Sequence, residues 1–170
     1  LILVLTFSQL WAQPPSGRNP NINDCTGALL ICGNTEIGIT PNGVGTNEFA
    51  QPGNPVPTCY NFNGDQAWFK VEIETDGTFQ FVIDPDDGVA DYDFAVFGPT
   101  TDCSNLGAAI RCSSTSPSQA MVSGTTGLNA TSIDLFEGPG RNGDGFLREL
   151  DVIAGETYYI IVGLAGGTGG

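Results

Sequence analysis

The 170-residue sequence contains no histidine, and only five basic residues stand against 19 Asp and Glu, for a net charge of −14. Without histidine there is no Ser-His-Asp or Cys-His catalytic arrangement, no His-ligated zinc and no usual general base near neutral pH. The shortage of Lys and Arg argues against nucleic acid and anionic membrane surfaces as partners, because both would repel the chain. Any catalysis would depend on carboxylates alone, so the composition disfavours an enzyme.

Charged residues are also scarce, at 14% of the chain, whereas hydrophobic residues reach 40%. This is enough apolar material for a core, and it distinguishes the chain from an acidic disordered tail. The 24 glycines and 11 prolines supply many turns. Together these features are typical of an extracellular all-β domain.

The N-terminal stretch Leu1–Trp11 (LILVLTFSQLW) is apolar but too short to span a bilayer. With Ala12 and Gln13 after it, it resembles the apolar part of a secretory signal peptide, so we expect residues 1–13 to be signal-like. The alternative is a retained strand that pairs with a neighbouring subunit. That assembly strand would comprise Leu1, Ile2, Leu3, Val4, Leu5, Thr6 and Phe7. After a Pro/Asn-rich lead-in at 14–23, we expect one domain over 24–165 and a Gly-rich tail at 166–170.

Five cysteines predict two disulfides and one unpaired cysteine in an oxidising compartment. Cys103 and Cys112 bracket a short loop, so we predict that they pair. The second bond would join two of Cys25, Cys32 and Cys59, and the sequence leaves open which two. There is no CxxC spacing, which disfavours a zinc site.

Alternation of apolar and polar residues predicts several short strands separated by turns. The predicted strands are Trp68–Glu74, Thr78–Ile83, Tyr92–Phe97, Phe146–Val152 and Thr157–Leu164. Asp76-Gly77 predicts a hairpin turn between the first two. No segment keeps helical periodicity for three turns. We therefore predict an antiparallel β-sandwich of jelly-roll or immunoglobulin-like type, stapled by disulfides.

Several short motifs occur in an order that resembles a known family. They are Asn23-Asp24-Cys25, Gly27-Ala28, Cys32, Cys59 ahead of Trp68-Phe69, Gly77-Thr78-Phe79, Asp91-Tyr92-Asp93-Phe94-Ala95-Val96, Cys103, Arg111-Cys112, Thr126-Gly127-Leu128 and the stretch LDVIAGETYYIIV from Leu150 to Val162. The set resembles a secreted β-sandwich module of the Bacteroidota, related to the bacterial pre-peptidase C-terminal (PPC-like) domains.

The resemblance implies a module of cell-surface or secreted proteins, such as adhesins, gliding-associated proteins and multidomain hydrolases, often exported by type IX secretion. Its partners would be other protein subunits, surface proteins or a glycan, without membrane insertion of the mature form. Family members continue past the strand at Thr157–Leu164 into one more strand. We therefore expect the sandwich to lack a final edge strand, which would leave a groove open to strand addition.

Five carboxylates fall within ten residues, at Asp84, Asp86, Asp87, Asp91 and Asp93. Carboxylate oxygens are the ligands that Ca²⁺ prefers, and the resemblance also allows calcium here, although the spacing is not that of an EF-hand. The alternative is a solvated acidic turn in which Asp84 and Asp91 cap turns through their own backbone. A carboxylate inside a strand needs a partner, and we expect Arg111 to pair with Asp93.

Three functions follow from these features, in order of preference. The first is a non-enzymatic extracellular structural or adhesion module, in its sharper form a subunit that builds a surface filament by strand addition. The second is an accessory carbohydrate- or protein-binding domain of a secreted hydrolase. The third, a carboxylate-only hydrolase using acids such as Glu72, Glu74 and Glu149, is disfavoured because those residues look like a solvated strand face.

Overall fold

The computed structural model describes residues 21–59 and 64–165 in full. For residues 2–5 it describes the backbone alone. Four predictions lie partly or wholly outside the described residues. These are the assembly strand, at Leu1, Thr6 and Phe7, the signal-like segment over 1–13, the Pro/Asn-rich lead-in at 14–23 and the Gly-rich tail at 166–170.

The described residues are almost entirely strands and loops, which confirms the all-β, sandwich-like fold. The strands are β1 (Ile2–Leu5), β2 (Leu29–Ile31), β3 (Glu36–Gly38), β4 (Gln66–Glu72), β5 (Gly77–Phe79), β6 (Phe81–Asp84), β7 (Tyr92–Phe97), β8 (Arg111–Thr115), β9 (Thr126–Asn129), β10 (Phe136–Gly140), β11 (Phe146–Arg148), β12 (Leu150–Val152) and β13 (Thr157–Leu164). Short helical turns occur at Cys25–Gly27, Glu48–Ala50 and, as α1, Pro117–Ala120.

The strands form two main sheets and a small one. One sheet has the order β11-β9-β6-β1-β3, the other has the order β10-β8-β7-β13-β4-β2, and β5 pairs with β12 alone. Most neighbours are antiparallel, as predicted. The pairs β2–β4, β8–β10 and β9–β11 are parallel.

The larger core contains side chains from both main sheets and from the β5–β12 pair. Alternate residues of β7, such as Phe94 and Val96, meet Phe81 and Ile83 of β6 and Ile160 of β13 there. The rings of Phe81 and Phe94 pack edge to face with centroids 5.2 Å apart. This geometry is favourable for aromatic pairs and fixes how the sheets face each other.

A second core covers the opposite face of the six-stranded sheet. Trp68, Phe97 and Ile161 point outward from their strands and pack under loop residues that include Phe49 and Leu106. The sheet is therefore buried on both faces. This explains why Tyr92–Phe97 and Thr157–Leu164 read as nearly continuous apolar runs, and both strands have the predicted bounds.

Two predicted strands are each divided between sheets, and the predicted hairpin is wrong. Thr78–Ile83 splits at Gln80, so that β5 pairs with β12 while β6 pairs with β9 and β1. Phe146–Val152 splits in the same way into β11 and β12. Because β4 pairs with β13 and β2 instead of β5, Asp76-Gly77 connects different sheets.

The chain has two disulfides and one unpaired cysteine, as expected, but the predicted pairing is wrong. Cys25 bonds Cys103 with Cα atoms 5.8 Å apart, and Cys59 bonds Cys112 with Cα atoms 6.0 Å apart. Cys32 is free and exposed. Cys112 points from β8 into the second core, whereas Cys103 lies in the loop after β7 next to the turn at Cys25. The Cys59–Cys112 bond therefore ties a distant loop to β8, and the Cys25–Cys103 bond joins a turn to a distant loop, so neither closes the short loop between Cys103 and Cys112.

Candidate functional site

The acidic loop between β6 and β7 forms a self-capped turn. Asp87 Oδ1 accepts hydrogen bonds from the backbone N–H groups of Val89 at 2.9 Å and Ala90 at 2.8 Å. These bonds hold the pKa of Asp87 below its usual range. Asp84 instead accepts a hydrogen bond from the Thr125 hydroxyl at 3.3 Å. The loop therefore forms the self-capped turn of the alternative interpretation, but the capping residue is Asp87 and not the expected Asp84 or Asp91.

Asp91 and Asp93 differ from the rest of the acidic set because they are withdrawn from solvent. Asp93 is 5% exposed in β7, opposite Gly163 of β13. Burial, with a smaller contribution from Asp91, raises the pKa of Asp93 to about 8. Burial also raises the pKa of Asp91, whose Oδ1 has no hydrogen-bond partner among the described residues.

Arg111 is not the partner of Asp93, so that prediction is wrong. Its guanidinium donates to the backbone carbonyls of Arg148 at 2.7 Å, Ile110 at 2.8 Å and Glu149 at 3.0 Å. Arg111 pairs in register with Val96, three residues along β7 from Asp93. Successive strand residues point to opposite faces, so the two side chains leave the sheet on different sides.

No group of three or more Asp, Glu, Cys or His side chains in the described part of the chain is placed to hold a metal ion. Calcium binding by Asp84, Asp86, Asp87, Asp91 and Asp93 stays a prediction.

The first strand occupies an interior position in its sheet. Within the same chain, β1 runs antiparallel to β6, from Ile2 opposite Asp84 to Leu5 opposite Phe81. On its other side it is antiparallel to β3, with Ile2 opposite Gly38. In the sheet order, β3 reaches the other strands only through β1. Without β1, this sheet would contain a slot with unpaired backbone groups on both sides.

A second feature is an open cleft of about 440 Å³ beside the Cys25–Cys103 disulfide. Its lining residues include the acidic residues Asp24, Glu48 and Asp102. The sequence prediction missed this site, because the acids come from separate segments and each stands alone in its own sequence neighbourhood.

The geometry defines a disulfide-linked, all-β, sandwich-like protein whose described residues carry an inserted strand and an acidic cleft. No protein-family model matches the chain, and no curated protein and no solved structure matches it either.

No helix among the described residues is long and apolar enough to cross a membrane.

Proposed function

We propose that the chain is a non-enzymatic extracellular module of the PPC-like kind, which assembles with other subunits at the cell surface by strand addition. The observation that carries this proposal is the position of β1 between β6 and β3. A strand that pairs on both edges can be supplied by the same chain or by another copy with identical backbone pairing.

Exchange of β1 between copies would generate a filament. Each subunit would give its strand to one neighbour and accept a strand from the other, a heterologous contact that does not close on itself. Two disulfides support the extracellular setting, because such bonds persist in oxidising compartments.

The test is a disulfide trap between β1 and its neighbour. Val4 lies directly opposite Val82, and Val82 is half-buried, so cysteines there disturb the core little. Directly opposed strand residues have the Cα separation that a disulfide requires. We would introduce Val4→Cys and Val82→Cys together in a Cys32→Ser background and oxidise the purified protein.

If strands are exchanged, non-reducing electrophoresis shows a ladder of covalent multimers that reducing agent collapses to one band. Mixing chains that carry only Val4→Cys with chains that carry only Val82→Cys gives the heterodimer. The control pair is Val4→Cys with Val89→Cys, since Val89 is exposed and does not pair with β1. A cross-linked monomer alone, or a mature protein that begins after Ala12, would contradict the proposal.

A second candidate is an accessory binding domain of a secreted hydrolase, and the observation that favours it is the acidic cleft. Its volume of about 440 Å³ lies within the range of small-molecule sites. A glycan array distinguishes this candidate, because a structural subunit should give no hits.

A further inference from the structure

The cleft is formed by four separate parts of the chain that are locked to one another. The turn at Cys25–Gly27 and the loop after β7 are joined by the Cys25–Cys103 disulfide. The buried amide of Asn54 donates to the carbonyls of Glu48 at 3.0 Å and Cys103 at 2.7 Å, and accepts from Leu106 N–H at 2.6 Å. Tyr159 of β13 contributes to the lining. A site fixed in this way needs little ordering when a ligand binds.

The charge of the cleft has one sign. Three acidic residues line it, and none of the four basic residues in the described part of the chain does. Asp102 accepts from the Ser104 N–H at 2.8 Å and hydroxyl at 2.7 Å, which lowers the pKa of Asp102. Asp24 accepts hydrogen bonds from the Thr46 N–H and the Asn21 amide. A low-dielectric wall lined by one sign of charge concentrates cations.

Within the described part of the chain, Glu48 has an unsatisfied hydrogen-bond acceptor, and this is a second, independent observation that points to a ligand. Its side chain is 4% exposed and belongs to the lining. Oε1 accepts from the Cys25 N–H at 2.7 Å, whereas Oε2 is buried and has no hydrogen-bond partner among the described residues. A buried carboxylate oxygen without a donor costs free energy, so the arrangement favours a donor supplied from outside. Burial raises the pKa of Glu48, and a bound cation would reverse that shift.

We propose that this cleft binds a primary ammonium group on a short carbon chain, with the Glu48 carboxyl group, turned toward the cleft, as its main acceptor. An ammonium group offers three N–H donors and a full positive charge. A bare metal ion fits less well, because no three acidic side chains in the described residues converge closely enough to share one. The ammonium could come from a free amine or from a lysine side chain. The inference is independent of strand exchange.

The test uses the full chain and two probes that separate those sources. Isotope-labelled protein is titrated with n-butylammonium, and separately with an end-blocked Gly-Lys-Gly peptide and its norleucine counterpart. We expect saturable shifts in the backbone resonances of 46–51 and 101–104 with both amines and none with the norleucine peptide. Saturation with n-butylammonium alone would assign the site to free amines.

Glu48→Gln should weaken binding about tenfold or more, as expected when a hydrogen bond to a charged group is lost. The matched control is Glu36→Gln, which removes the same charge from an exposed strand position outside the cleft. If Glu48→Gln does not fold, Asp102→Asn replaces it and should weaken binding severalfold. Unsaturable shifts, equal weakening by Glu36→Gln, or displacement of the amine by Ca²⁺ at equal ionic strength would each overturn the proposal.

Discussion

The Asp93 carboxyl group is buried in β7, so the free energy of unfolding should depend on whether this group is protonated. Its folded-state pKa of about 8 lies above the value in an unfolded chain, so the folded state binds the extra proton between these two values. The stability therefore falls as the pH rises from about 4 to about 8 and levels off above that.

Asp93→Asn should remove this dependence, because the amide is neutral at every pH. Since one pKa unit corresponds to about 1.4 kcal/mol, we expect the variant to be more stable at pH 9 by on the order of a few kcal/mol. Denaturant unfolding at pH 5 and pH 9 measures the effect. The control is Glu74→Gln, which removes an exposed carboxylate just beyond the end of β4. An equal pH dependence in wild type and Asp93→Asn would contradict the prediction.

Gly143 lies in the turn after β10, close to the buried carboxyl group of Glu137. Glu137 is 8% exposed and accepts from Gly145 N–H at 2.8 Å and Asp144 N–H at 3.2 Å. Gly143 has a φ of +127°, and a Cβ there would overlap the Glu137 carboxylate. Gly143→Ala should therefore destabilise the fold by about 2–3 kcal/mol, through backbone strain and displacement of Glu137.

The control for this substitution is Gly155→Ala. Gly155 also has a positive φ, of +90°, but a Cβ there meets nothing within 4 Å. Gly155→Ala should therefore lower the free energy of unfolding by about 1 kcal/mol, through backbone strain alone. Thermal unfolding of the two variants measures the difference, and equal losses would mean that the overlap with Glu137 is relieved at no cost.

Among the elements, the loops over the second core depend on the disulfides. The Cys25–Cys103 bond spans 78 residues of sequence and Cys59–Cys112 spans 53, so each restricts a long loop in the unfolded chain. Replacing both cysteines of either pair by serine should cost about 2–5 kcal/mol. Cys32→Ser should be neutral, because Cys32 is free and exposed. Proteolysis without reduction, followed by mass spectrometry, checks the pairing directly, and a peptide linking Cys103 to Cys112 would contradict it.

The same elements show what local pattern can predict. Tyr92–Phe97 and Thr157–Leu164 were found with their true bounds, because each is a short apolar run with clear turns beside it. The end of β5 at Gln80 could not be predicted, because the apolar–polar alternation continues through Thr78–Ile83. Only the pairing partner changes there, from β12 to β9.

Sites follow the same rule as strands. The acidic loop can be predicted from the sequence because its five acids lie within ten residues. The hydrogen bonds inside the loop cannot be predicted in this way. The cleft cannot be predicted from the sequence, because Asp24, Glu48 and Asp102 come together only when the chain folds. The disulfide beside the cleft joins residues 78 positions apart. Spacing within a segment can therefore propose ligands, whereas contacts between segments require the topology.

At the scale of the whole molecule, the net charge of −14 opposes compaction. The ion pairs Lys70–Glu72, at 2.6 Å, and Arg148–Asp151, at 3.6 Å, lie at the surface and offset little of it. Screening should therefore stabilise the fold. We expect the melting temperature to rise by a few degrees with NaCl, and a flat or falling curve would show that self-repulsion is not significant.

General screening must be separated from a calcium site, and equal ionic strength achieves this. If the loop 84–93 binds Ca²⁺, millimolar CaCl₂ should raise the melting temperature above MgCl₂ or NaCl at the same ionic strength, because Ca²⁺ accepts irregular oxygen sites that Mg²⁺ does not. Asp84→Asn should remove the calcium-specific part, since Asp84 is an exposed member of the loop, whereas Glu74→Gln should leave it intact. If Ca²⁺ and Mg²⁺ have the same effect on wild type, the calcium prediction is wrong. The acidic loop would then act only through its share of the net charge.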